Sequence, residues 1–310
     1  MIFSTFGFIF LLLPSVWLGY FGLHRVGWHT AAKWFLVLAS FAFYAIGSAH
    51  FVLIFMASVA VNYAVGTRVS LWREKNVHTA AIRALFAAGI VLNIALLGYY
   101  KYTDFFISNY NWLFGQSIAL RHIILPIGIS FFTFQLIAYQ VDSFRGLTSN
   151  YSFLDYLLFI TFFPQLIVGP IVHHGEMVPQ FEDRTNWHIN WDNVAKGMFV
   201  FIIGLGKKIL LADQMTLNAQ SFFDQTLTVP VSALSAWWYS IEYTISYYFD
   251  LSAYADMAIG IGLLFNITIP ENFNSPYKAR NFQDYWQRWH ITLSRFLGAE
   301  SALRPHVPPS

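Results

Sequence analysis

Cysteine is absent from these 310 residues, and charge is scarce. Without cysteine the chain has no disulfide, no thiolate nucleophile and no cysteine-ligated metal site. Charged residues make up 11% of the chain, less than half of the roughly 25% that soluble domains carry. The formal net charge of +2 is too small to indicate a nucleic-acid partner. These shortages argue against a soluble domain, a disulfide scaffold and a nucleic-acid-binding protein.

Apolar residues take the place of the missing charge, at 56% of the sequence, and aromatic residues alone reach 19%. Stretches of about 20 apolar residues, long enough to span a bilayer, recur throughout the chain. We predict an all-α, polytopic transmembrane bundle of eight or nine membrane segments, some of them broken or re-entrant. The predicted segments are 3–21, 32–47, 49–67, 82–100, 123–141, 153–172, 195–212, 233–249 and 251–267.

Basic residues predict the orientation of these segments. The linker from Thr67 to Arg83 contains four basic residues and one acidic residue, and the loop after the first segment contains Arg25 and Lys33. Two segments separate the linker from the loop, so both lie on one side, which the positive-inside rule makes cytoplasmic. The N-terminus is therefore predicted to be extracytoplasmic.

Two neighbouring segments contain proline and glycine inside apolar sequence, in the runs Leu125–Ser130 and Phe163–Pro170. Broken backbone at membrane depth is tolerated where protein or a water-filled cavity covers it. Kinked packing helices and a cavity wall are both open for each run taken alone. Their recurrence in adjacent segments favours the cavity.

Two aspartates, Asp250 and Asp256, stand in an otherwise apolar stretch. An aspartate at the centre of a membrane helix costs about 2.5–3.5 kcal/mol. We expect Asp250 to avoid that cost as the N-cap of a following helix. Asp256 is expected either to pair with an Arg or Tyr or to line a catalytic tunnel. The nearby Gly260 and Gly262 are expected to allow close helix contact rather than to bind phosphate.

One histidine, His290, follows a loop with two prolines. Asn281 is a good N-cap, and apolar residues recur at helical spacing from 282 to 296, which predicts one helix there. The residues predicted on an adjacent polar face are Gln283, Gln287, His290 and Ser294. A lone histidine is more often structural than catalytic, but the polar face, the broken helices and the carboxylates favour catalysis. An imidazole near neutral pKa can take a proton from a sugar hydroxyl.

The run NFNSPYKARNFQDYWQRWHITLSRFL, from Asn272 to Leu297, resembles the signature of membrane-bound O-acyltransferases, the MBOAT family. It is most similar to the bacterial branch of alginate O-acetyltransferases, which is related to the D-alanyl transfer protein of teichoic acid synthesis. Upstream motifs stand in the family's order: LLPIGISFFTFQLIAYQVDSFRG, FFPQLIVGPIV, GLGKKILLAD and YYFDLSAYADMAIGIGLLFNI. The resemblance covers 1–297, the N-terminal part of the family's domain.

The resemblance implies a multi-pass enzyme of the bacterial inner membrane, with a tunnel through the bilayer. An acyl group, implied to be acetyl, passes from a cytoplasmic donor to hydroxyls of an exported cell-surface polysaccharide such as alginate. The implied donor is acetyl-CoA or an acyl carrier, with no bound cofactor and no metal. An extracytoplasmic acetyltransferase partner is expected to complete the transfer.

Under that resemblance we assign roles to individual side chains. His290 orients or deprotonates the acceptor hydroxyl, and Trp286 and Trp289 shape the acceptor pocket. Arg288 holds a carboxylate or phosphate, or anchors its helix. The side chains expected to line or brace the cavity are Tyr248, Asp250, Tyr254 and Asp256.

Both the resemblance and the hydrophobicity stop after Leu297. Members of this branch use a second histidine, in a tryptophan-histidine-glycine context further downstream, which 298–310 does not contain. We expect 298–310, including His306, to be an aberrant non-family tail and the C-terminal helices to be missing, through a frameshift, a premature stop or a genuine short form. Two other interpretations stay open: an inactive remnant of the enzyme, and a polytopic transporter.

Overall fold

The fold is taken from a computed structural model, which describes residues 2–75, 79–148, 152–226 and 230–301. Every regular element within these ranges is helical, which confirms the all-α fold. The α-helices are α1 (Leu13–Arg25), α2 (His29–Ser48), α3 (Val52–Glu74), α4 (Thr79–Leu97), α5 (Thr103–Phe114), α6 (Ile129–Arg145), α7 (Phe153–Thr161), α8 (Phe163–Leu166), α9 (His174–Glu182), α10 (Trp191–Gly206), α11 (Asp213–Thr226), α12 (Ala233–Leu264), α13 (Phe282–Arg288) and α14 (Ile291–Ser301).

Shorter π-helical and 3₁₀ segments connect or extend these helices. The π-helical segments are Phe8–Leu12, Gly98–Tyr102 and Lys207–Ala212. The 3₁₀ turns are Ile2–Ser4, Ala49–Phe51, Arg184–Trp187 and Pro276–Lys278. The described residues divide into two compact units. The first unit is Met1–Ala32, Val168–Pro170 and Gln180–Arg295, and the second is Lys33–Ile167, Ile171–Pro179 and Phe296–Ser310.

Three stretches of the described chain are long and apolar enough to cross a membrane, and we call them the candidate spans. They are Phe8–Arg25, His29–Glu74 and Thr79–Phe114. The second contains two helices, α2 and α3, joined by a 3₁₀ turn over Ala49–Phe51. Two helices therefore separate Arg25 from the linker after α3, as the orientation prediction requires. The predicted number of membrane segments stays a prediction.

The structure places Lys33 in a helix and not in the predicted loop. Because α2 begins at His29, Lys33 lies inside that helix, and its Nζ lies 2.7 Å from Asp155 Oδ1. The two side chains are only 14% and 10% exposed, so the pair is largely shielded from water. The orientation prediction consequently depends mainly on the basic residues between Thr67 and Arg83.

Within the second unit, α3, α4 and α6 pack around a buried amide cluster. Asn62 Nδ2 donates to Asn93 Oδ1 (3.0 Å), and Asn93 Nδ2 donates to Asn62 Oδ1 (2.7 Å). Gln140 Nε2 donates to the same Asn62 oxygen. Buried amides are costly unless hydrogen-bonded, so these bonds hold the three helices in one register.

Both predicted breaks are present. Pro126 and Gly128 precede α6, and Gly128 adopts a positive φ of 72°, so the helix begins only at Ile129. The other run contains the four-residue α8 and then irregular backbone up to His174. The helices predicted over 123–141 and 153–172 are therefore shorter than expected. A Cβ on Gly128 would lie 3.1 Å from the Leu166 carbonyl oxygen, so the two breaks pack against each other and protein covers this freed backbone.

In the first unit, α10 packs antiparallel against α12 at unusually short range. A Cβ added to Gly197 would lie 2.6 Å from the Gly260 carbonyl oxygen, and one added to Gly204 would lie 2.8 Å from the Ala253 carbonyl oxygen. The paired positions are seven residues apart on both helices, so the close contact is maintained over two turns. The expected role of Gly260 in close helix contact is confirmed.

The prediction of separate segments at 233–249 and 251–267 is wrong, because α12 is one helix of 32 residues. Asp250 lies in its middle and is not an N-cap. The chain does not need to break there, because Lys208 neutralises the carboxylate at 2.7 Å.

We expect Gly204→Ala to destabilise the protein and Gly206→Ala, two residues away, to leave it unchanged or slightly more stable. Both changes add the same methyl group to a helix, which alone favours the helix by up to about 1 kcal/mol. At Gly204 the methyl meets the α12 backbone, and overpacking of that kind costs about 1–3 kcal/mol, whereas nothing lies within 4 Å of the Gly206 position. Melting temperatures in detergent micelles measure the difference; equal melting temperatures would contradict the close contact.

Candidate functional site

His290 lies at a break between α13 and α14. The single helix predicted over 282–296 is therefore wrong. Trp289 is extended (φ −94°, ψ 124°) and His290 has a positive φ of 46°. Such a conformation is uncommon outside glycine and is often found at functional sites. The predicted polar row is consequently divided, with its two glutamines on α13 and Ser294 on α14.

The loop after α12 holds this break in place. The Asn272 backbone carbonyl accepts a hydrogen bond from the Ile291 N–H (2.8 Å). The Asn272 side-chain oxygen accepts from the Thr292 N–H (3.2 Å) and from the Thr292 hydroxyl (2.9 Å). On the other side, the Asn274 N–H donates to the last carbonyl of α13 (2.9 Å). Asn272 and Thr292 are each only 2% exposed, so these bonds fix the backbone on both sides of His290 away from water.

Trp289 belongs to an aromatic cluster that fixes how the chain enters His290. Its ring centroid lies 5.3 Å from that of Phe273, edge to face, and 5.7 Å from that of Tyr285, stacked. Tyr248, on α12, lies 6.1 Å away. The His290 ring lies 5.8 Å from Phe273. Aromatic contacts of this kind add directional packing to the buried area.

A groove of about 490 Å³ runs along α13 and the start of α14. Its lining residues are Gln283, Trp286, Gln287, Ile291, Ser294 and Arg295. Trp286 is 45% exposed and presents an aromatic surface, while the amide, hydroxyl and guanidinium groups around it offer hydrogen bonds. An aromatic face surrounded by such groups suits a sugar ring, which has apolar faces and polar edges. Ile291, which lines this groove, directly follows His290 in the chain.

Arg288 forms the contacts of an anchor, one of its two predicted roles. Its Nε lies 2.6 Å from Asp284 Oδ1, and its Nη1 donates to the Asn274 carbonyl (3.4 Å). The hydrogen bond from Arg288 lowers the pKa of the Asp284 carboxyl. Asn281 caps α13 by accepting from the Asp284 N–H (2.8 Å), which confirms the predicted N-cap.

Burial lowers the pKa of His290, because little water remains to hydrate an imidazolium there. The residue is 9% exposed and lies outside the three candidate spans. An imidazole with a pKa below 6.5 is neutral at pH 7, and it can therefore accept a proton from an acceptor hydroxyl.

Two adjacent lysines of the π-helical segment after α10 hold the two aspartates of α12. Lys208 Nζ lies 2.7 Å from Asp250 Oδ1 and 2.6 Å from Asp213 Oδ1. Lys207 Nζ lies 2.6 Å from Asp256 Oδ2. Asp256 thus pairs with a lysine and not with the Arg or Tyr that we expected. A signal for this existed in the sequence, since two neighbouring lysines in the apolar run GLGKKILLAD also need partners.

Tyr254 is 2% exposed and stacks on Phe3, with ring centroids 4.7 Å apart. The four predicted cavity residues of α12 therefore have partners within the first unit: Asp250 and Asp256 have the lysines, Tyr254 has Phe3, and Tyr248 has Trp289. These contacts are those of bracing residues. Their predicted place in the lining of a substrate cavity stays a prediction.

The model of the membrane-bound O-acyltransferase family matches residues 36–299, which include Trp286, Trp289 and His290. The chain belongs to the membrane-bound O-acyltransferase family. Curated MBOAT relatives are similar over almost its whole length. It is 44% identical over 323 aligned residues to "Peptidoglycan O-acetyltransferase" of Helicobacter pylori and 37% identical over 302 residues to "Probable alginate O-acetylase AlgI" of Pseudomonas aeruginosa, covering 96% of this chain in each case.

A more distant relative is "Teichoic acid D-alanyltransferase" of Bacillus subtilis, 28% identical over 175 residues, 56% of this chain and 44% of that protein. The MBOAT chain spans 60% of the length of the H. pylori protein and 56% of the P. aeruginosa protein. The predicted boundary at Leu297 stays a prediction. The described helix α14 continues to Ser301, and His306 lies outside the described residues.

We expect His290→Gly to be more stable than His290→Ala by about 1 kcal/mol, because only glycine adopts a positive φ without strain. The order should reverse at Ser294, where Ser294→Gly in a regular helix should be about 1 kcal/mol less stable than Ser294→Ala. Melting temperatures of the four variants in one detergent measure both differences. Equal stability of the two His290 variants would show that the backbone there is not strained.

Proposed function

We propose that this chain is a membrane O-acetyltransferase for an exported cell-surface glycan, with His290 as the base. The proposal is supported by the position of His290, a buried residue held at positive φ by Asn272, whose neighbour Ile291 lines the same groove as Trp286. Family membership supports acyl transfer, and the similarity to a peptidoglycan O-acetyltransferase and to a probable alginate O-acetylase supports acetyl transfer to a glycan.

The proposed chemistry needs one proton acceptor and an activated acyl group. The imidazole of His290 accepts the proton of the acceptor hydroxyl while the hydroxyl oxygen attacks the carbonyl carbon of an acetyl thioester, from acetyl-CoA or an acyl carrier. The carbon–oxygen ester bond forms, the carbon–sulfur bond breaks, and the proton passes to the leaving thiolate. Positioned proton transfer of this kind contributes about 10²–10⁴-fold to a rate.

The other predicted site residues have supporting roles in this proposal. Trp286 stacks against the sugar ring, and Trp289 fixes the direction of the backbone that enters His290. Arg288 anchors α13 through Asp284. The α12 side chains Asp250, Tyr254 and Asp256 brace the helix from which the Asn272 loop emerges.

The proposed setting is the bacterial inner membrane, with the N-terminus outside the cytoplasm and the thioester donor inside. The basic residues between Thr67 and Arg83 support that orientation. An extracytoplasmic acetyltransferase partner is proposed to complete transfer to the polymer. Peptidoglycan and alginate, the glycans in the names of the two relatives, are the acceptors to test.

We expect this chain to restore base-labile acetate to the surface glycan of a bacterium whose own O-acetyltransferase gene is deleted. His290→Gln should lower that acetate by about 10²–10⁴-fold, because glutamine cannot act as a base. Acetate released by mild alkali from purified peptidoglycan and from alginate measures the result. His122→Gln is the matched control, because that side chain is 81% exposed and should retain full activity.

With the unsubstituted chain and its variants at equal levels in the membrane, the results distinguish the role of His290 from acetyl transfer by this chain. Activity of His290→Gln equal to that of the unsubstituted chain would remove His290 as the base and leave acetyl transfer in place. No acetate on either glycan with His290 intact would contradict activity of this chain and favour the inactive remnant.

We expect acetyl transfer by isolated membranes to fall as the pH is lowered, with its midpoint below 6.5. Neutral imidazole is the active form, and its pKa is lowered, so protonation removes activity only below the usual histidine value of about 6.5. Initial rates at low acceptor concentration as a function of pH measure the apparent pKa. A midpoint at or above 6.5 would contradict a buried neutral base.

A further inference from the structure

A second groove lies in the first unit, between the candidate span Phe8–Arg25 and α10. It has a volume of about 520 Å³ and an almost wholly apolar wall. Residues that line it include Ile9, Leu13 and Trp17 on one side and Val194, Met198 and Leu205 on the other. Met198 is 53% exposed, so the groove is open along its length and is not an internal cavity. One wall belongs to the candidate span Phe8–Arg25, so we expect this open apolar surface to face lipid.

The groove continues into a more polar recess at the C-terminal end of α1. This recess has a volume of about 350 Å³, shares Trp17 with the groove, and is also lined by Arg25, Trp187 and His188. Arg25 is exposed, and within the described part of the chain no carboxylate lies within ion-pair distance of it. The groove therefore has an apolar length and a cationic end, which complements a molecule with an apolar chain and an anionic head.

The dimensions of the groove and recess match one leaflet of a bilayer. Ile9 and Arg25 are 16 positions apart, which corresponds to about 24 Å along a helix. Half of a bilayer that is about 40–45 Å thick including its headgroups is about 20–22 Å. With Arg25 at the headgroup level of one leaflet, the groove extends from there past the centre of the membrane towards Ile9. Trp17 and Trp187 then line the path between them, with Trp187 near the interface where tryptophan is enriched.

We propose that the groove and recess together bind one anionic phospholipid, with an acyl chain along the groove and the phosphate at Arg25. A guanidinium donates paired hydrogen bonds to phosphate oxygens, which gives the recess a preference for a net negative headgroup. The bulky side chains of α10 that face the groove bury apolar area against the acyl chain. In the orientation proposed above, this lipid belongs to the cytoplasmic leaflet.

The test is native mass spectrometry of the whole chain, purified in a maltoside detergent and stripped of lipid. Phosphatidylglycerol and phosphatidylcholine with identical acyl chains are titrated separately. We expect one phosphatidylglycerol to bind at saturation, about tenfold more tightly than phosphatidylcholine, because both lipids offer a phosphate to Arg25 but the choline cation opposes the Arg25 charge. Arg25→Gln should remove that preference by weakening the binding of phosphatidylglycerol more than that of phosphatidylcholine.

Two further variants locate the lipid. Val194→Trp fills the groove and should weaken the binding of both lipids, whereas Lys196→Gln removes an exposed cation of α10 that lies outside the groove and should change neither. Melting temperatures show whether each variant is folded. If Val194→Trp does not fold, the Arg25→Gln variant, which changes an exposed residue, still tests the proposal. Equal affinity for the two lipids, or an unchanged preference in Arg25→Gln, would overturn the proposal. A dimer of this chain that binds no lipid would also overturn it, because the groove would then be covered by protein.

Discussion

The first unit depends on the distance between the backbones of α10 and α12. Gly197 and Gly204 allow that approach, and no side chain fits between the helices at these two positions. Hydrogen bonds hold one end of this helix pair together, between the start of α10 and the end of α12. The Asn266 side chain accepts a hydrogen bond from Asn193 (3.0 Å) and donates one to the His188 carbonyl (2.7 Å). The loop that follows α12 at this end contains Asn272, which holds the backbone next to His290. The geometry of the proposed catalytic base therefore depends on the contact between α10 and α12, although neither helix contains His290.

The backbone conformation of His290 is intrinsically unfavourable, and neighbouring residues stabilise it. A non-glycine residue at positive φ costs about 1–3 kcal/mol. Three hydrogen bonds to Asn272 hold the residues that follow it, and each such bond contributes roughly 1 kcal/mol, so the two effects are of similar size. The aromatic contacts of Trp289 add to the favourable side. A base held in this way needs little reorganisation when substrate arrives, which is what positioned proton transfer requires.

Local patterns predicted what local forces decide, namely the all-α fold, the breaks at Gly128 and after α7, and the cap at Asn281. They did not predict the continuity of α12 or the break before α14, because in each case the deciding partner is remote in sequence. Lys208 is 42 residues from Asp250, and Asn272 is 20 residues from Thr292. Apolar spacing remains in phase across Trp289 and His290, so periodicity alone cannot reveal that the helix ends there.

Helix α10 has two faces of opposite character, and each solves a different problem of packing in lipid. Its glycine face gains contact by bringing two backbones together, since apolar side chains gain little from leaving lipid for a protein interior. Its bulky face, with Val194 and Met198, cannot approach α1 as closely and leaves a groove open to the membrane. An acyl chain adapts to that irregular space and restores the dispersion contacts that an empty groove would lose. The lipid would then support α10 and the end of α12, where Leu264 also lines the groove, and through α12 the loop that holds His290.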